Sequence, residues 1–158
     1  MNKRIIILLL SIFLFSFLRA ERVDMKQAGA VTDGTQLNTE LINSTIERLH
    51  ANGGGTLFFP AGIYLTASIC MKSHITLELE AGAVLKFSDN FDEYLPYVEM
   101  RYEGVMMKSF QPLIYAVDAE NITIKGEGTL DGQGKAWWME FFRVIIDLKK
   151  YGKRDINK

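Results

Sequence analysis

A repeated glycine-turn pattern constrains the fold of this chain more than any other feature of its sequence. A short strand-like run, a glycine and a second short strand-like run occur in residues 53–65, return in 77–85 and come back in 126–134. Coils of stacked parallel strands have this pattern, because one repeat cannot bury its apolar side chains without neighbouring repeats. We therefore predict an all-β solenoid of about three coils.

The turn glycines give the length of each coil. Gly62 and Gly82 lie 20 residues apart, whereas Gly128 follows Gly82 by 46 residues, which is close to two coils. The excess falls in residues 88–111, which we interpret as a loop that projects from one coil and is a candidate place to meet a ligand. The predicted strands cover residues 56–59, 63–66, 75–79, 84–87, 113–117, 122–125 and 128–130.

An amphipathic helix precedes the repeats. Its apolar positions recur with helical spacing, Thr35 or Asn38 is a candidate N-cap, and Gly53 follows the predicted end. The first coil would otherwise expose its apolar end to water, so we expect this helix to be the N-terminal cap of the solenoid. The apolar positions are Leu37, Leu41, Ile42, Ile46 and Leu49.

A second helix is predicted from Trp137 to Lys150, with a polar tail after it. Its aromatic density predicts burial against the flank of the solenoid. Trp137 and Trp138 are candidate substrate-binding residues, because an indole ring offers a flat face to a sugar, although paired aromatics also serve packing. We divide the chain into a cap with the first coils over 21–138, and a helix with a polar tail over 139–158.

The first twenty residues have the features of a secretory signal peptide. Lys3 and Arg4 precede the apolar run 5–18, and Ala20 offers a small residue for cleavage. An uncleaved membrane anchor is the alternative, but this run is shorter than the roughly 20 residues of a spanning helix. We expect a secreted or periplasmic protein without stable membrane insertion once the signal is removed.

Charge and single residues exclude several functions. Without residues 1–20 the chain keeps 15 basic and 19 acidic residues, a net charge of about −4, and its dense basic run lies in the tail 149–158. A nucleic-acid footprint is therefore not predicted. We expect Cys70 to be a buried small apolar residue, His74 a hydrogen-bonded turn residue, and Asp131 a turn residue rather than an acid catalyst. Met100, Met106 and Met107 are expected to fill core or loop space.

Four ordered blocks carry a family resemblance. They are residues 29–35, 53–65, 71–77 and 126–134, and over residues 27–138 the chain resembles the N-terminal third of polygalacturonases, glycoside hydrolase family 28. The resemblance implies a right-handed single-stranded parallel β-helix with an N-terminal capping α-helix. It also implies hydrolysis of α-1,4 links in pectin or galacturonan, an acidic plant polysaccharide, by a monomer that needs no metal or other cofactor.

The resemblance further implies inverting hydrolysis by two carboxyl groups, one acting as acid and one as base toward water. The family supplies them from Asn-Thr-Asp and Asp-Asp blocks, with Gly-His-Gly and Arg-Ile-Lys blocks nearby, and none of these four occurs in the sequence. We therefore assign no catalytic residue and expect this chain alone to be inactive. Two alternatives stay open: a non-catalytic β-helix for carbohydrate binding or adhesion, and a related β-helix polysaccharide depolymerase or lyase.

Overall fold

A computed structural model describes residues 20–151, except for the side chains of residues 144, 145 and 147–151. Residues 1–19 of the predicted signal peptide, which covers residues 1–20, and the tail residues 152–158 lie outside the described residues. Ala20, the predicted cleavage position, is exposed and precedes the first strand.

The described residues form strands, two α-helices and one short 3-10 helix. The helices are α1 (Thr39–Ala51) and α2 (Gly134–Tyr151), and the 3-10 helix is Phe91–Tyr94. The strands are β1 (Glu21–Asp24), β2 (Gly55–Phe59), β3 (Gly62–Thr66), β4 (Ile69–Met71), β5 (Ile75–Leu79), β6 (Ala83–Phe87), β7 (Val98–Tyr102), β8 (Val105–Ser109), β9 (Ile114–Ala116), β10 (Thr123–Gly126) and β11 (Thr129–Asp131).

These strands build a right-handed parallel β-helix, which confirms the solenoid predicted from the repeats and the β-helix implied by the family resemblance. Three parallel columns run along it, namely column A (β1-β2-β5-β10), column B (β3-β6-β11) and column C (β4-β9). The register in column A places Leu57 beside Leu77, and Leu77 beside Ile124, so each coil sets its side chains above those of the coil before. Strands β7 and β8 stand apart as an antiparallel hairpin.

Alternation along each strand sends every second side chain into the interior. Strands β2, β5 and β6 alternate buried and partly exposed residues over their whole length. Phe59 and Tyr64 meet edge to face inside the coil, with ring centroids 5.2 Å apart. Such burial supplies the main driving force for folding, at about 25 cal/mol per Å² of apolar surface.

Helix α1 covers one end of the stack, which confirms the predicted cap. It buries Ile42, Ile46 and Leu49 completely and packs against β2 and β4. The side-chain amide of Asn43 makes two hydrogen bonds to the backbone around β4. It accepts from the Cys70 N–H at 2.9 Å and donates to the Ser68 carbonyl at 3.0 Å. These bonds fix the helix to column C.

Two details of the predicted helix differ. Asn38 is the residue before α1, but its side chain makes no capping bond; it accepts from the Val31 N–H at 2.8 Å and donates to the Val31 carbonyl at 2.9 Å. It therefore fixes the preceding loop rather than the helix end. Leu37 lies outside the helix and is 44% exposed. Gly53 follows the helix with φ +92, the left-handed conformation expected after a C-terminus.

A left-handed residue recurs at the turn before column A. Gly54, His74 and Asn121 occupy it in successive coils, with φ of 110, 65 and 56. Asn121 Nδ2 donates to Nδ1 of His74 at 3.1 Å, which agrees with the predicted hydrogen-bonded turn role of His74. A Cβ at Gly54 would lie 2.5 Å from the carbonyl oxygen of His74, so this coil admits only glycine there.

Three expectations about burial were wrong. Cys70 is partly exposed, because the alternation of β4 sends Ile69 and Met71 inward instead. Met106 and Met107 are 64% and 44% exposed on opposite faces of the hairpin. Helix α2 packs Trp137 but leaves most of its large apolar side chains exposed, namely Trp138, Phe141, Phe142, Met139 and Ile146.

Candidate functional site

Two irregular segments leave the stack at one corner. The insertion, residues 88–111, connects β6 in column B to column C, and α2 follows β11, the column B strand next to β6. In the preceding coil only residues 67–68 span this corner between β3 and β4. The long segments of successive coils therefore emerge side by side, and such clustering on a rigid stack is typical of a binding site.

An aromatic cluster joins the insertion to α2. The indole ring of Trp137 contacts Phe91, Tyr94 and Phe110, with ring centroids 4.6, 5.2 and 5.7 Å away. Its Nε1–H is buried and has no hydrogen-bond partner in the described part of the chain. Trp137 is therefore held mainly by ring packing, which fixes the start of α2 against the insertion.

Tyr94 connects the aromatic cluster to the start of the insertion. Its ring is completely buried, and its hydroxyl donates to the Ser88 carbonyl at 2.8 Å. Burial, with a smaller contribution from the carboxylates of Glu93 and Asp89, raises the pKa of Tyr94 to about 12. The hydroxyl therefore remains protonated and keeps its hydrogen bond at any physiological pH.

An open cleft of about 540 Å³, the corner cleft, lies between the hairpin, the start of column C and α2. Trp138 borders it with a largely exposed ring, 67% accessible, and Met100 borders it from the hairpin. Its polar side chains are those of Ser109 and Gln111. The complete lining is Met100, Ser109, Phe110, Gln111, Pro112, Leu113, Gly132, Gly134, Trp137 and Trp138, and none of these side chains is ionisable.

A second depression, of about 440 Å³, shares Gly134 with the cleft and contains the charged groups of Asp89, Asp131 and Lys135. The Asp131 carboxylate accepts from the backbone N–H of Gln133 at 3.1 Å and from its side-chain amide at 2.5 Å. This is the turn geometry that the sequence predicted for Asp131.

The structure separates the two predicted substrate-binding residues. Trp137 lies within the aromatic cluster, whereas Trp138 presents its ring to the cleft. Met100, Phe110 and Gln111 were not identified from the sequence as cleft residues, because their loop shows no repeat that reveals where it folds back. Only the density of aromatic residues in 88–111 was a signal.

Within residues 20–151, whose side chains are described with the exceptions given above, no group of three or more His, Cys, Asp or Glu side chains is arranged to hold a metal ion. None of the described helices is long and apolar enough to cross a membrane.

Comparison with known proteins shows where this chain has relatives. It is 33% identical over 132 residues to a probable polygalacturonase of Vitis vinifera, and 35% identical over 120 residues to an exo-poly-alpha-D-galacturonosidase of Dickeya chrysanthemi. These alignments cover 78% and 71% of the chain, but only 27% and 19% of the relatives. The chain therefore spans about a quarter or less of their length. No protein-family model matches it.

Among solved structures, the chain is similar to a hyperthermoactive exopolygalacturonase from Thermotoga maritima. The TM-score is 0.70 at 31% sequence identity, and the match covers 86% of this chain and 34% of the other. Most of this chain thus follows the same backbone path as about a third of the larger protein.

Proposed function

Since this chain is a homologue of polygalacturonases, we propose that it forms the N-terminal cap and first coils of a secreted glycoside hydrolase. The enzyme cleaves α-1,4-galacturonosyl links of pectin-type polysaccharides with inversion at the anomeric carbon. The observation that carries this proposal is agreement of sequence and fold over the same stretch, at 31% identity and a TM-score of 0.70.

The chemistry requires groups that this chain does not supply. Inverting hydrolysis needs two carboxyl groups about 6.5–9.5 Å apart with a water between them. Asp131, beside the corner cleft, is held by Gln133 in a turn, and the sequence contains no adjacent Asp-Asp pair. We therefore place the acid and the base in a longer protein, and expect this chain by itself to bind saccharide without cleaving it.

We place saccharide contact at the corner cleft. The Trp138 ring is 67% exposed, and a flat aromatic surface packs well against the C–H face of a pyranose. The buried cluster around Trp137 holds this helix start in place. Trp138 therefore contacts the sugar directly, and Trp137 positions it.

The test compares this chain with the protein encoded by its extended reading frame. Polygalacturonate is supplied to both, and reducing ends and the anomeric configuration of the first product are followed by proton NMR. We expect no turnover by this chain, and release of inverted product by the longer protein. Cleavage by this chain, or a longer protein inert toward polygalacturonate, would overturn the proposal. The second outcome would favour a binding module or a depolymerase for another polysaccharide.

A further inference from the structure

We propose that the corner cleft binds a galacturonate residue whose carboxyl group is methyl-esterified, and discriminates against the ionised form. This inference rests on the proposed function, which supplies a galacturonan as the ligand. It goes further by assigning the charge state of the sugar residue that the cleft accepts.

The lining of the cleft offers no positive charge to an ionised carboxyl group. Ten side chains or backbone segments form it, none is ionisable, and Ser109 and Gln111 are its polar side chains. An ionised carboxylate moved from water into such a place loses part of its hydration and gains no cation in return, so binding of the ionised form is disfavoured. A methyl ester has no charge to desolvate, and its methyl group suits the apolar walls at Met100 and Trp138.

The charge around the cleft points the same way. The insertion carries five acidic and two basic residues, a net charge of −3. On the hairpin, Lys108 lies opposite Glu99 in the register, and strand alternation places Lys108 and Arg101 on the face away from Met100. In the second depression, Lys135 stands with two carboxylates, those of Asp89 and Asp131. The surrounding negative charge therefore disfavours an anionic sugar residue and leaves an uncharged one unaffected.

Polar groups are placed to orient an ester. The Ser109 hydroxyl and the Gln111 side-chain amide are both donors, and both lie where the insertion enters column C. One N–H of the Gln111 amide donates to the Pro96 carbonyl at 3.4 Å, which leaves its second N–H for a ligand. Donors of this kind serve the ester carbonyl and the ring hydroxyls equally well, while Trp138 supports the C–H face of the ring. The cleft thus combines one stacking surface with a small number of neutral donors.

The experiment measures binding of two trigalacturonides to the chain, one fully methyl-esterified and one unesterified, by tryptophan fluorescence and calorimetry. We expect the ester to bind at least about tenfold more tightly, a difference of about 1.4 kcal/mol. Its affinity should be the same in low and high salt, because no ion pair forms. Trp138→Ala should abolish binding, whereas Phe141→Ala, an exposed aromatic of α2 outside the cleft, should leave it unchanged.

A variant that introduces a positive charge tests the same inference from the opposite direction. Gln111→Lys places a cation in the partly exposed wall of the cleft and should shift the preference toward the unesterified ligand, with a new dependence on salt. Wild-type protein that binds the unesterified ligand equally well or better, or that binds neither, contradicts the inference. Binding of a neutral galactotriose as tight as that of the methyl-esterified ligand also contradicts it, because the cleft would then accept any uncharged sugar and not recognise the ester. None of these outcomes bears on hydrolysis of polygalacturonate by the longer protein, so the two proposals fail separately.

Discussion

At the scale of single residues, ion pairs bind neighbouring coils together on the outer face of column A. The Glu78 carboxylate accepts from Arg22 at 3.0 Å and lies 3.3 Å from the ammonium of Lys125, so three coils meet at one carboxylate. The hydrogen bond from Arg22 is the main cause that lowers the pKa of Glu78, with Lys125 adding to it. The guanidinium of Arg22 also stacks 3.6 Å from the centroid of the Phe58 ring.

This lowered pKa predicts a small acid sensitivity. A carboxyl group whose pKa is lower in the folded state stabilises the fold above its unfolded pKa, and the contribution is lost as pH falls through the folded value. Glu78→Gln should therefore reduce the free energy of unfolding at pH 7 by less than about 1 kcal/mol, because the pair is partly exposed. Urea unfolding at pH 7 and pH 3 measures this. The difference between wild type and variant should be smaller at pH 3 than at pH 7.

Glu127→Gln is the matched control for that measurement. Glu127 is exposed and forms no ion pair with any residue of the described part of the chain. Its substitution should leave stability unchanged at both pH values. An equal loss in both variants would mean that net charge, and not the contact with Arg22, sets the acid response.

At the scale of elements, the two ends of the coil stack differ, because α1 covers only one of them. Helix α1 closes the stack because its apolar stripe lies over the inward side chains of the first coils, with Ile46 completely buried. At the other end the corresponding positions have no cover within the described residues, and Ile124 and Leu130 are 44% and 46% exposed. The same alternation that builds the core therefore leaves apolar side chains on the last described coil.

We predict that Ile46→Ala weakens the fold by about 2–5 kcal/mol. The substitution leaves a cavity between α1 and the first coils at a position from which water is fully excluded. Chemical unfolding followed by far-UV circular dichroism reports the change. Ser44→Ala on the exposed face of the same helix is the control, with an expected effect within about 0.5 kcal/mol. Similar midpoints for both variants would show that α1 does not contribute to the cooperative unit.

At the scale of the whole molecule, the coils and the corner site are separable. The register continues from β6 to β11 and from β4 to β9 although the insertion interrupts the chain between them. Thr66 pairs with Phe87 and Ile69 pairs with Ile114, so two residues are sufficient to turn this corner in the preceding coil. The coil therefore does not need the insertion to complete its turn from column B to column C.

Joining Ser88 directly to Leu113 should therefore preserve the stack and destroy the cleft. Far-UV circular dichroism should retain its β signal, because columns A, B and C keep their pairing. Tryptophan emission should shift to longer wavelength, since Trp137 loses Phe91, Tyr94 and Phe110. Loss of the β signal would instead show that the buried Tyr94 is part of the structural core.

The sequence alone determined the solenoid, its capping helix and most of its strands. Glycine spacing and apolar alternation are local properties, and they placed β2, β3, β5, β6, β9, β10 and β11 close to their observed bounds. Strands β1 and β4 were not predicted. The hairpin β7–β8 was not predicted either. Strand β7 alternates apolar and polar residues, but residues 88–111 were interpreted as a loop because they fall outside the coil repeat.

Only the tertiary structure decided what the aromatic residues do. Trp137 and Trp138 are adjacent in sequence, yet one is packed among Phe91, Tyr94 and Phe110 and the other faces an open cleft. That difference depends on a loop more than 20 residues away folding back onto α2, because the insertion and the helix leave column B in neighbouring coils. Contacts between residues so far apart in sequence leave no periodic pattern, whereas the alternation that stacks the coils is a local property of the strands.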